Sequence, residues 1–86
     1  MPEISRFFGI AIRMYYDDHL PPHFHAIYSG AEIQVSIQPI AVLNGNLPRH
    51  AMSMVIEWAA LHQGELLDNW NRIQDDQLPE KIAPLE

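Results

Sequence analysis

Ala31-Glu32-Ile33-Gln34-Val35-Ser36-Ile37-Gln38 decides how the rest of the chain is read. Ile33, Val35 and Ile37 alternate with polar neighbours, the period of a strand with one buried and one wet face. A strand over 31–38 is therefore predicted, in an antiparallel sheet, because parallel strands are covered on both faces. Just upstream, Ser29-Gly30 supplies a two-residue hairpin turn, with glycine taking the positive φ. The partner strand is 23–28, His23 to Tyr28, which alternates in the same way. Before it, Asp17 to Pro22 forms a connection in which Pro21 and Pro22 fix φ and cannot donate, so the corner is stiff and extended. Either bond preceding these prolines is open to the cis form. From Ile4 to Tyr16 the pattern again has period two, with Phe8, Ile10, Ile12, Met14 and Tyr16 on one face. It reads as one long first strand over 4–16, with Gly9 marking a bulge or a close backbone approach.

Downstream, Pro39 breaks the strand, 40–43 is a short fourth strand, and Asn44-Gly45-Asn46 turns the chain. Leu47-Pro48 opens a helix, with proline in the first turn and Asn46 as cap. The helix is expected over 47–74. At about 100° per residue, Ala51, Val55, Trp58, His62, Leu66 and Trp70 fall on one stripe. Met54 and Leu61 widen it on one flank, Ile56 and Leu67 on the other, to an arc of roughly 240°. A single sheet face does not need so wide an arc. Met54, Trp58 and Leu61 are therefore predicted to form an interface with a protein partner or a second copy. The tail, 75–86, carries Pro79 and Pro84 and is expected to be irregular and largely solvated, with Ile82 and Leu85 tucked against the body. The fold class is α+β in one domain, 1–86: a mostly antiparallel sheet of three or four strands with one long C-terminal helix on one face.

Eleven acids against five bases give a formal charge of −6, and the bases are scattered. Phosphate neutralisation dominates nonspecific nucleic-acid affinity, so nucleic acid is a poor partner on charge. No apolar run reaches bilayer-spanning length and the first residues do not resemble a signal peptide, so no membrane association is expected. The absence of cysteine excludes disulfides and thiolate sites and suits a cytoplasmic protein.

The chemistry gathers at Asp17-Asp18-His19-Leu20-Pro21-Pro22-His23-Phe24-His25, which holds three of the five histidines. His23 and His25, two apart on a strand, emerge on the same face and can offer two imidazoles to one metal ion. His19 or Asp18, across the stiff corner, would complete three ligands and leave an open position for a water, as in hydrolytic metal sites. Zinc, manganese and nickel are the divalent ions considered. The competing reading is structural: histidines at a proline corner brace it by bonding backbone. His62 on the helix stripe reads as a core histidine, His50 as surface, and Asp17 as a solvated turn former. No catalytic residue is assigned, because no serine–histidine–aspartate order, phosphate loop or His-Glu-x-x-His helix occurs.

Five runs resemble a family of small prokaryotic proteins known as domain of unknown function 4160. They are Pro2-Glu3-Ile4-Ser5-Arg6-Phe7-Phe8-Gly9-Ile10, Asp18-His19-x-Pro21-Pro22-His23-Phe24-His25, Gly45-x-Leu47-Pro48, Trp58…His62…Leu66…Trp70, and Lys81-Ile82-x-Pro84-Leu85. The resemblance spans the chain in order and implies no catalytic residues. It does imply a gene context similar to toxin–antitoxin pairs, and hence a small protein-interaction module. The alternative, drawn from the residues, is a metal-assisted hydrolase or nuclease centred on His23 and His25.

Overall fold

The strand at 31–37 is where the alternation puts it, and four more strands pair around it. The computed structural model describes residues 3–86. Met1 and Pro2, the second of which begins the first of the five runs, lie outside the described residues. Strands β1 (Glu3–Phe7), β2 (Ile10–Arg13), β3 (His23–Tyr28), β4 (Ala31–Ile37) and β5 (Ile40–Gly45) precede helices α1 (Arg49–Leu61) and α2 (Gln63–Gln74). All neighbours are antiparallel and the sheet order is the chain order. The fold is α+β, with five strands and two helices rather than three or four strands and one long helix.

The expected first strand is a hairpin. Phe7 pairs with Ile10 across Phe8-Gly9, whose φ values of 48° and 80° are those of a primed turn. A two-residue turn reverses the parity of the alternation. Phe7 therefore joins Ile10 and Ile12 in the core, while Phe8, expected to share their face, sits 61% exposed at the tip. Phenylalanine at positive φ is uncommon, so only Gly9 hinted at the turn. Ser29-Gly30 forms the matching turn between β3 and β4, with φ values of 50° and 84°.

Asn44 and Gly45 extend β5 instead of turning the chain. Leu43 is the extra residue of a bulge, since Gln34 pairs with Asn44 and Val35 with Val42. Gly45 has φ 86°, and a Cβ there would overlap the Glu32 carbonyl oxygen and stand 3.0 Å from Ile33 Cα. Close approach to β4, not a turn, is what requires glycine. Ser36, expected on the wet face of β4, is buried, and its hydroxyl donates to the carbonyl oxygens of Pro39 and Ala41.

The long helix is interrupted at His62, whose φ −124° and ψ 25° are not helical. One irregular residue barely changes the spacing of apolar positions, so the stripe runs through the break undisturbed. Gln63 opens α2 and donates its Nε2 to the Ile37 carbonyl at 2.7 Å, tying the junction to the end of β4. At the other end, α1 starts at Arg49, with Pro48 and not Asn46 at the cap position and no side-chain cap bond.

Phe24, Ala26, Ile12, Ile33 and Val35 meet Val55, Trp58, Leu66 and Ile73 in the core. Trp58 is fully buried, its ring 5.4 Å from Phe7 and 5.8 Å from Phe24. It is therefore unavailable to a partner. Of the three interface residues predicted, Met54 is half-buried and only Leu61, at 66%, is exposed. The tail is pinned as well as tucked. Ile82 N–H donates to Ile4 O, Lys81 Nζ to Glu3 O, and Trp58 Nε1 to Ala83 O, each at 2.8 Å. Buried Asn69 both donates to and accepts from the Glu80 backbone. No helix among the described residues is long and apolar enough to cross a membrane.

Candidate metal centre

Alternation along β3 sends Phe24 and Ala26 into the core and His23 and His25 to the opposite face. That face is not left to solvent. The corner between β2 and β3 folds over it, and the Tyr15 ring stands edge-on to His25 with centroids 4.5 Å apart. The Leu20–Pro21 peptide is cis. Pro22 O accepts from Ile37 N–H at 3.1 Å, fixing the corner to β4. The Trp70 ring of α2 also packs on His23, centroids 5.4 Å apart, and both imidazoles are buried, at 6% and 5% exposure.

Asp18 reaches in from the corner. Its Oδ2 lies 2.9 Å from His25 Nε2 and 3.3 Å from His23 Nε2. The outer nitrogens are also held: His23 Nδ1 is 2.8 Å from Pro21 O, and His25 Nδ1 is 2.7 Å from Glu32 Oε2. A carbonyl oxygen only accepts, so His23 Nδ1 carries the proton in that bond, and a carboxylate demands the same of His25 Nδ1. A neutral imidazole has one N–H. With both spent outward, each Nε2 presents a lone pair to the Asp18 carboxylate. Three electron-rich atoms then converge, an arrangement that is stable only with positive charge among them, from added protons or from a cation.

The donor atoms of Asp18, His23 and His25 lie within 4.8 Å of one another. Ligands 2.0–2.1 Å from a tetrahedral zinc stand about 3.3 Å apart, close to both Asp18 distances. The outer bonds match the usual second layer of a metal site, in which each ligating imidazole gives its other N–H to a carbonyl or carboxylate. Two nitrogens and one oxygen leave a fourth position open.

Of the four residues singled out from sequence, Asp18, His23 and His25 meet. His19 does not converge with them. It is exposed and lines a hollow of about 240 Å³ beside Asp18 and His23. His62 Nδ1 is 2.6 Å from Glu65 Oε1 and its ring packs on Trp58, away from the cluster. His50 is exposed, as expected, with Nε2 3.3 Å from the Tyr28 hydroxyl. Asp17 is exposed. Glu32 was not foreseen. Its signal was present: the Ser29-Gly30 turn pairs His25 with Gln34, and Glu32 is the diagonal neighbour on the same polar face. A larger concavity, about 710 Å³, lies elsewhere, against Leu47, Met52 and Ile56. It holds none of these groups.

No curated protein and no solved structure matches the chain. The family model described as Domain of unknown function (DUF4160) matches residues 9–71, from the first hairpin turn through the whole histidine corner and into the second helix. The match takes in most of the chain, which therefore belongs to that family.

Proposed function

We propose that the chain binds one divalent transition-metal ion through His23 Nε2, His25 Nε2 and Asp18 and uses it for hydrolysis. Zinc is the first choice, with manganese and nickel next, because imidazole with carboxylate suits all three. One observation carries the reading: two buried Nε2 atoms converge on one carboxylate oxygen while both Nδ1 atoms are tied to acceptors. The inner nitrogens lie 2.9 and 3.3 Å from that single carboxylate oxygen, separations that also suit ligands of one small ion. The hollow beside the cluster is lined by Asp18 and His23, so a water polarised by the ion could face substrate there.

Metal analysis of untagged protein tests the reading. About one equivalent of zinc is expected, lost in Asp18→Ala and in His25→Ala. Full metal content in the His25→Ala protein would overturn it.

A second reading, an interaction module in a toxin–antitoxin-like pair, is favoured by a different surface. Val42 on β5 and Leu61 at the end of α1 are exposed apolar side chains, and neither lines the hollow. It expects a stoichiometric complex with a second small domain encoded alongside. A chain that purifies free after co-expression with that neighbour counts against it.

A further inference from the structure

We infer that the substrate is a small, uncharged acyl compound, an ester or activated amide with a short apolar group, rather than a phosphoester. The inference rests on the metal reading above and adds what the adjoining hollow selects. That hollow shares Asp18 and His23 with the centre, so a molecule lying in it would sit beside the metal ligands. Its remaining walls are Leu20, Pro21 and Leu43, which are apolar, and His19 and Gln34, which are polar. No lysine or arginine lines it.

Charge decides between substrate classes. A divalent ion is balanced by Asp18 among its ligands and by Glu32 behind His25, leaving the centre neutral. Phosphoryl sites add arginine, lysine or a second metal to meet the oxygens of the transferring group. Here the one basic residue on the face is Arg13, paired with His25 on β2, whereas the hollow is walled by β4 and β5 on the other side. A phosphodiester would bring its negative charge to a hollow that offers it the His19 and Gln34 side chains but no lysine or arginine. A neutral carbonyl brings none.

Gln34 supplies what a carbonyl needs. It sits opposite His25 in the β3–β4 register, on the same face, and its amide can donate to the acyl oxygen as charge develops there. The apolar walls at Leu20 and Leu43, 78% and 46% exposed, would be covered by a short alkyl group. In the reaction, the polarised water gives a proton to solvent and its oxygen bonds to the acyl carbon. The bond from that carbon to the leaving alcohol breaks, and the alcohol oxygen takes a proton from solvent. One water is consumed, and one acid and one alcohol are released.

The test uses zinc-loaded, untagged protein with p-nitrophenyl acetate, p-nitrophenyl butyrate and bis(p-nitrophenyl) phosphate, beside metal-free protein and His25→Ala. The expected result is saturable ester cleavage at least ten-fold above both controls, a lower KM for butyrate than acetate, and no comparable phosphodiester cleavage. Leu43→Asp should cut ester kcat/KM about ten-fold with zinc content and melting temperature unchanged. Zinc bound at one equivalent with esters cleaved no faster than by metal-free protein, or with the phosphodiester preferred, overturns the substrate assignment and leaves the metal reading standing. Failure to bind zinc, manganese or nickel overturns the metal reading, and the assignment falls with it.

Discussion

Asp18 and Glu32 approach the same ring from opposite sides, and substitution separates their roles. On the proposed metal reading Asp18 would offer its oxygen to the ion, so its loss would remove a ligand. Glu32 only holds His25 Nδ1, at 2.7 Å, and orients the ring. Glu32→Gln keeps an acceptor but loses the charge, and is expected to weaken zinc about 10–100-fold without unfolding. Competition against a chromophoric chelator reads this directly, and an unchanged affinity would remove Glu32 from the site. Gly45 matters to the same corner, because its missing side chain makes room for the Glu32 carbonyl. Gly45→Ala meets both a positive φ and an occupied space, and should cost about 2 kcal/mol or more in urea denaturation. Much of this was legible at residue level: alternation alone put His23 and His25 side by side. It could not choose between Asp18 and His19. That choice depends on the path of the corner in space, which no periodicity encodes.

Elements were legible where turn chemistry agreed with pattern and illegible where it did not. Ser29-Gly30 announced the β3–β4 hairpin, and the register it sets places Glu32 and Gln34 beside His25. Phe8-Gly9 makes the same type of turn with a residue that rarely takes positive φ, so the β1–β2 hairpin passed for one strand. The mismatch is correctable. Phe8→Asn installs the favoured Asn-Gly pair and removes an exposed aromatic, and should stabilise the fold by about 0.5–1 kcal/mol. A lower denaturation midpoint would mean that Phe8 makes contacts worth more than its backbone cost. The break at His62 escaped notice for the opposite reason. It leaves the apolar spacing intact, and the bond that marks it, from Gln63 to Ile37 O, joins residues far apart in sequence.

At the scale of the molecule, the tail acts as a clasp on a small sheet, and on the proposed metal reading a bound ion would act as a second. The tail lies along the outer edge of β1 and buries Ile82 to 4% exposure. Ile82→Ala should therefore cost about 2–4 kcal/mol, or roughly 8–32 °C in melting temperature for a domain of this size. A shift of a degree or two would mean that the tail is dispensable. The ion joins a different pair of parts. Asp18 comes from the corner and the imidazoles from β3, so any unfolding that lifts the corner also breaks up the ligand set. Binding that belongs to the folded state adds RT ln(1 + [L]/Kd), about 2.7 kcal/mol with zinc at a hundred times its Kd. A rise of roughly 10–20 °C follows for the native chain. Asp18→Asn preserves the shape of the corner and can still accept from an N–H, but it gives zinc a far poorer ligand. Its metal-free melting temperature should stay within a few degrees of the native chain's, and the zinc-dependent rise should largely vanish. Equal rises in the two proteins would place the ion elsewhere on the surface. A large loss of metal-free stability in Asp18→Asn would instead identify the carboxylate as a brace for protonated imidazoles. The two measurements together distinguish a ligand from a strut.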